Sequence, residues 1–208
     1  MLDLTPQVNT VSERIHALRD SASPLLVAIS GPPGAGKSTL AAELARRLND
    51  QKCTTDVLAM DGFHLDNRLL EQRGLLQRKG APETFDAEGF LSVVERLRRG
   101  ADVIVPDFVR ERDLSIAGAR AVSATNDVII IEGNYLLFDE TPWRRLQQNW
   151  DLSVWLDVVE ADLRPRLIHR WLRQNLSSVV ATRRAEQNDL PNARRVKAAA
   201  LPADIVLG

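Results

Sequence analysis

The sequence predicts a three-layer α/β/α fold built on a mostly parallel sheet. Three observations carry that prediction. Short aliphatic runs, Leu25–Ile29 and Val128–Ile131 above all, alternate with segments of helical periodicity. The run at 128–131 is continuously β-branched, which suits a parallel strand covered on both faces. Finally, a glycine-rich loop at 31–38 stands between the first aliphatic run and a leucine-striped helix.

The elements follow in order. Val8, Val11, Ile15 and Leu18 recur at helical spacing over 7–19, an amphipathic helix, and Ser21-Ala22-Ser23-Pro24 breaks the chain before the first strand. Leu40, Leu44 and Leu48 share one face of the helix after the loop. The second strand is read at Asp56–Met60. Residues 69–82 are polar and basic, with Arg73, Arg78 and Lys79 and weak periodicity. Asp86 caps a helix that turns Phe90, Leu91, Val94 and Leu97 inward and ends at Gly100. Val103–Val105 reads as a short strand, 114–126 as an excursion or hairpin, and Asp127–Gly133 as the clearest buried strand.

Thr141-Pro142 is a helix-start signal, and Asp151–Asp157 is a further strand. A basic helix is expected at 162–175, with Pro165 in its first turn, followed by helix at 177–188. Asp189-Leu190-Pro191 is expected to break the chain before a last strand at 203–207. The expected organisation is one domain over 1–208. Residues 1–23 form an N-terminal helical lead-in, and about 160–188 a lid with its following helix.

Composition excludes several classes. The 208 residues are 44% apolar and 26% charged, ordinary for a globular protein. With 27 Lys plus Arg against 28 Asp plus Glu, the formal charge is −1, which argues against wholesale binding of nucleic acid or membrane. Cys53 is the only cysteine, so no intrachain disulfide forms, and scattered histidines give no zinc pattern. No apolar run reaches membrane-span length and no signal-peptide layout opens the chain, so the cytoplasm is the expected location. Self-association into a homodimer is left open.

The loop carries the chemistry. Gly31, Gly36, Lys37 and Ser38 satisfy G-x-x-x-x-G-K-[ST], with Pro32, Pro33, Gly34, Ala35 and Thr39 completing the turn. Its glycines let backbone N–H groups curl around phosphate oxygens, and the helix N-terminus adds its positive end. Lys37 meets the β- and γ-phosphates, and Ser38 offers its hydroxyl to Mg²⁺. A plain Gly/Pro turn is the bland alternative, and the flanking strand and helix argue against it. The chain therefore binds a nucleoside triphosphate.

In such folds ligands sit at the carboxyl ends of the strands. The strand end after 60 presents Asp61, which can orient or accept the proton of an attacking hydroxyl. The strand end after 131 presents Glu132, a candidate Mg²⁺ ligand. The strand at 103–105 leads to Asp107 and Arg110. Asp61, Phe63, His64 and Arg110 form the candidate acceptor set. Arg166, Arg170 and Arg173 share one helical face and are read as a lid over the phosphates, where an arginine is worth on the order of 10³–10⁵ in rate. Trp143, Trp150, Trp155 and Trp171 are read as core.

Four segments in order complete the pattern: the loop at 31–38, M-D-G-F-H-L-D-N at 60–67, R-K-G-A-P-E-T-F-D at 78–86 and I-E-G-N-Y-L-L at 131–137. The set resembles the P-loop kinases typified by uridine kinase, phosphoribulokinase and bacterial pantothenate kinase. That resemblance implies a P-loop nucleoside triphosphate hydrolase fold with a helical lid, ATP and Mg²⁺ as cofactors, and a small-molecule acceptor. It also implies Asp61 as the catalytic aspartate. The segment at 185–193 resembles a subgroup labelled fructose or sugar kinases, and that likeness implies adenine contacts by Asn188 and Asn192. Phe108 and Arg110 replace the tyrosine and histidine of pantothenate kinase, so the acceptor pocket differs. The expected activity is transfer of the γ-phosphate to a hydroxyl of a small metabolite, a sugar first and a nucleoside or pantothenate-like acceptor second. A nucleotide-dependent switch is the rival, and the N-K-x-D motif expected of a GTPase switch is not in the sequence.

Overall fold

The computed structural model describes residues 4–19 and 24–208; the expected break at 21–23 lies outside the described residues. In chain order the elements are α1 (Thr5–Leu18), β1 (Leu25–Ser30), α2 (Lys37–Asp50), β2 (Thr55–Ala59), α3 (Asn67–Gln72), α4 (Ala87–Arg98), β3 (Val103–Val109) and β4 (Leu114–Val122). They continue with β5 (Val128–Gly133), β6 (Leu152–Leu156), α5 (Glu160–Leu172), α6 (Ser178–Arg184), α7 (Leu190–Ala198) and β7 (Ile205–Leu207).

The middle layer is a parallel sheet in the order β2-β5-β1-β6-β7. Alternation along the strands divides the core. Leu26, Ala28, Ile129 and Ile131 face Phe90 and Val94 of α4. Leu25, Val27, Ile29, Val128 and Ile130 face Val8, Val11 and Ile15 of α1 and Leu40, Leu44 and Leu48 of α2. Both strand faces are therefore dry, which is why β1 and β5 read as continuous apolar runs. The register pairs Ile29 with Glu132 and Ser30 with Gly133, so β5 ends where the loop begins.

Six expectations are corrected. Residues 103–105 do not join the parallel sheet. β3 runs on to Val109 and pairs only with β4, as an antiparallel ribbon. Only Val103 and Val105 point inward, while Ile104 is 62% exposed, so the ribbon is covered on one face. Asp107, expected at the phosphate edge, is exposed and bonds only its neighbour's amide, Phe108 N–H, among the described contacts. Residues 69–82 hold more order than their periodicity suggests. Asp66 accepts from the Arg68 amide to start α3, and Lys79 is a buried pin, not a solvated charge.

Thr141-Pro142 opens a 3₁₀ segment, Trp143–Asn149, in place of an α-helix. The lid helix begins at Glu160, so Pro165 lies in its second turn and leaves the Ala161 carbonyl without its usual i+4 donor. The break expected at 189–191 is absent. A wide π-turn over Ala185–Asp189 joins α6 to α7, and Pro191 sits in the first turn of α7.

The turn that carries Asp61 is pressed against the ribbon. A Cβ on Gly62 would lie 2.4 Å from the Pro106 carbonyl oxygen, a backbone atom that cannot swing aside. Gly62→Ala should therefore destabilise the protein by about 1–3 kcal/mol. Denaturant unfolding measures this, and an unchanged midpoint would show that the turn and the ribbon have slack between them.

Candidate active site

The loop after β1 curls into the N-terminus of α2. Gly36 caps that helix at φ +98°, and nothing lies within 4 Å of a Cβ built there, so glycine is required by the backbone conformation and not by crowding. Lys37 is buried. Its Nζ donates to the Pro32 carbonyl oxygen at 2.9 Å and to Asn134 Oδ1 at 2.6 Å. Burial pushes its pKa down to about 8, against the opposing pull of Glu132 and Asp61.

Ser38 Oγ donates to Glu132 Oε1 at 3.0 Å. Burial and the neighbouring Asp61 charge raise the Glu132 pKa, while Lys37 and the Ser38 hydrogen bond oppose the rise. Hard oxygen ligands of this kind fit Mg²⁺, which takes one or two protein oxygens and completes its shell with phosphates and water. No cluster of three His, Cys, Asp or Glu side chains suited to a metal occurs among the described residues.

Asp61 sits in the 3₁₀ turn that follows β2 and receives Arg110 Nη2 at 2.6 Å. Burial works to raise its pKa, but His64, Arg110, Lys37 and Arg170 outweigh burial and hold the carboxyl below its ordinary value. The His64 ring donates from Nδ1 to the Asp61 carbonyl oxygen at 2.7 Å and lies between Phe85 and Phe108, with ring centroids 4.0 and 4.6 Å away. Burial lowers the His64 pKa.

A cavity of about 300 Å³ is lined by Gly34, Gly36, Lys37, Ser38 and Thr39 of the loop, by Asp61, Glu132 and Asn134, and by Arg166, Arg170 and Arg173. The lid arginines therefore reach the loop. Arg166 and Arg173 make no ion pair among the described residues. Arg170 Nη2 bonds Asp189 Oδ1 at 3.3 Å, and its guanidinium stacks on Trp171. A second cavity adjoins the first. Its lining includes His64, Phe85 and Phe108, Trp171, Arg184 and Asp189, and Lys79 and Asp113. Pro33, Asp61, Arg110, Asn134 and Arg170 line both cavities.

The structure thus brings together the loop, Asp61, His64, Arg110, Glu132 and the three lid arginines. Phe63 stays apart: it is 7% exposed and packs edge-on against Phe90 in the core. Asn188 Nδ2 donates to the Lys79 carbonyl oxygen at 2.8 Å, and Asn192 lines the second cavity. Arg68, Arg73 and Arg78 line neither cavity, and Arg78 pairs with Glu83.

Other site residues escaped the sequence reading. Trp171, read as core, lines the second cavity and donates from Nε1 to Asp189 Oδ2 at 2.5 Å. Lys79 Nζ reaches Asn67, the Asp113 carbonyl oxygen and the Asp113 carboxylate. Asn134 lay two residues past Glu132 at a strand end, which was signal enough to find it.

The family profile described as phosphoribulokinase / uridine kinase matches residues 26–175. The chain belongs to this family. It is 32% identical over 193 residues to a candidate uridine kinase of Schizosaccharomyces pombe, covering 88% of this chain and 82% of that protein. It is 32% identical to the pantothenate kinase of Leifsonia xyli over 164 residues, but spans only about half (51%) of that protein's length. The crystal structure of a candidate fructose transport system kinase from Silicibacter sp. TM1040 is 50% identical and superposes with a TM-score of 0.91, covering 97% of this chain and 98% of the other.

The lowered Lys37 pKa makes phosphate binding depend on pH. Bound phosphates favour the ammonium, so affinity should be full below pH 8 and fall as the pH rises through about 8. Calorimetry at about pH 9 in two buffers of different ionisation heat should show proton uptake on triphosphate binding. Binding without uptake would mean that Lys37 stays charged in the free protein.

Proposed function

We propose that this protein transfers the γ-phosphoryl group of ATP to a hydroxyl of a small metabolite, with a sugar as the first candidate. The observation that carries the reading is the wall shared by the two cavities. Asp61, Arg110, Asn134 and Arg170 line both, so a hydroxyl in the second cavity would meet a phosphate held by the first. The 50% identity to the candidate fructose transport system kinase supports a sugar as acceptor.

The proposed roles follow from charge and position. Loop amides and Lys37 hold the β- and γ-phosphates, with Lys37 exchanging its bonds to Pro32 and Asn134 for phosphate oxygens. Ser38 and Glu132 would hold Mg²⁺, which when bound neutralises charge on those oxygens. Arg166, Arg170 and Arg173 face the transferring group. Asp61 accepts a hydrogen bond from the acceptor hydroxyl. Its lowered pKa makes it a weak base, which suits a loose transition state in which the hydroxyl proton leaves late. Its first task is then orientation.

Asp61→Asn should lower turnover by about 10²–10⁴ while leaving ATP affinity nearly unchanged. Wild-type turnover in that variant would remove Asp61 from the mechanism. The activity itself is tested by acceptor-dependent ADP release with ATP, Mg²⁺ and a panel of sugars, nucleosides and pantothenate. Stimulation by a sugar is expected. Stimulation by a protein partner alone, with no small acceptor active, would favour a nucleotide switch.

A further inference from the structure

The charges that line the second cavity do not cancel. Four cations, Lys79, Arg110, Arg170 and Arg184, stand against three carboxylates, Asp61, Asp113 and Asp189. Three pairs form: Lys79 with Asp113 at 3.0 Å, Arg110 with Asp61 at 2.6 Å and Arg170 with Asp189 at 3.3 Å. Arg184 is left over. It is partly buried, lies over the Trp171 ring at 4.6 Å from the centroid, and makes no ion pair or side-chain hydrogen bond among the described residues.

An indole offers no acceptor atom, so no protein group takes up the Arg184 N–H donors. A cation drawn out of water without an opposite charge favours a ligand that brings one. The planar guanidinium suits a carboxylate or a phosphate, whose oxygens accept two parallel N–H bonds. Arg170, which lines the same cavity, also keeps a buried Nε without a hydrogen-bond partner among the described residues. The surplus continues outward. A wider cavity of about 540 Å³ shares Arg110, Arg170 and Arg184 with the second and adds Arg173, against Glu111 and Asp113 alone. Such a mouth draws anions in. Arg184 lines the second and outer cavities but not the phosphate cavity, whereas Asp61 lines the second and the phosphate cavities. Arg184 therefore stands on the outer side of the acceptor and Asp61 on its phosphate side.

We propose that the acceptor is an anion, a hydroxylated metabolite bearing a carboxylate or a phosphate, and that Arg184 holds this group while Asp61 takes the hydroxyl. This rests on the kinase reading and narrows it, with a sugar acid or sugar phosphate as substrate in place of a free sugar. In the transfer the hydroxyl oxygen bonds the γ-phosphorus. The bond from that phosphorus to the bridging oxygen breaks, its electron pair leaves on ADP, and the hydroxyl proton passes to solvent. The anionic group takes no part in these bonds.

The test is acceptor-dependent ADP release by the full chain with ATP and Mg²⁺. One set is glucose, gluconate and glucose 6-phosphate, and a shorter one is glycerol, glycerate and glycerol 3-phosphate. A charged member should exceed its neutral parent in kcat/KM by about 10²-fold, and whichever charged member leads tells carboxylate from phosphate. Arg184→Gln should cost that member about 10²-fold through KM with kcat held, and Arg184→Lys should recover part of the loss. Calorimetric ATP affinity without acceptor should match the wild type in both variants. A neutral sugar or nucleoside that matches or exceeds every charged acceptor would overturn the anion assignment and leave the kinase reading standing. So would an Arg184→Gln protein that loses kcat and ATP affinity along with KM, the mark of a structural role. ADP release that no small acceptor stimulates sinks the kinase reading and the anion assignment together.

Discussion

The site depends on two opposite charges held out of water where β1 and β5 end. Lys37 is 7% exposed and Glu132 6%. Taking an ion into a protein interior costs several kcal/mol, so each must be matched locally. The matches come from different parts of the chain: Pro32 and Asn134 for Lys37, Ser38 for Glu132. The parallel register of β1 and β5 makes this feasible, since it sets Ile29 beside Glu132 and delivers the loop next to that carboxylate. Each charge is under strain in the same sense. Burial lowers the Lys37 pKa and raises that of Glu132, so both would gain from partners of opposite charge. A phosphate for the lysine and a divalent cation for the glutamate are such partners. The site is biased toward the pair it is read as binding.

Asp61 is held the other way. Arg110, Lys37, Arg170 and His64 outweigh its burial and keep it ionised. A carboxylate with so much cation around it is a poor proton acceptor but a rigid one. Arg110 reaches it from just beyond the β3–β4 ribbon's first strand, while Asp61 itself follows β2 in the parallel sheet. The ribbon is therefore more than decoration on the sheet edge. Its contact with the Gly62 turn fixes the Asp61 backbone, and its Arg110 fixes the side chain.

How far the sequence could be read follows from range. The parallel core was legible because burial on both faces writes continuous apolar runs into β1, β5 and β6. The loop, Asp61, Glu132 and the lid arginines were legible because strand ends and helical spacing place them without knowledge of distant contacts. What failed depended on pairing across the chain. The span 103–105 is strand-like locally, but only its partner at 120–122 decides that it leaves the sheet. Phe63 was read into the acceptor set beside Asp61, yet two residues' rotation along the turn sends it to Phe90. Lys79 stood in a basic stretch of weak periodicity, and only the distant Asn67 and Asp113 show that it is enclosed. Trp171 has the composition of a core residue, and only Asp189, eighteen residues on, turns it toward a cavity.

That last pair explains why the lid is held from behind. The π-turn at Ala185–Asp189 lets α6 run into α7 without the break that Pro191 suggested. The wide turn places Asp189 beneath both Arg170 and Trp171, and Asn188 against the Lys79 carbonyl. Two successive residues thus tie the lid helix and the Lys79 loop to the same backbone. Asp189 is buried, and burial raises its pKa against Arg170, the Trp171 hydrogen bond and Arg184. Arg170 lines both cavities, so the residue that anchors it sits where donor-side and acceptor-side geometry meet. An α-helical turn in place of the π-turn would advance these two residues by part of a turn and separate the contacts. The irregular backbone is the means by which a basic helix, otherwise a solvated face, acquires one fixed arginine at the centre of the site.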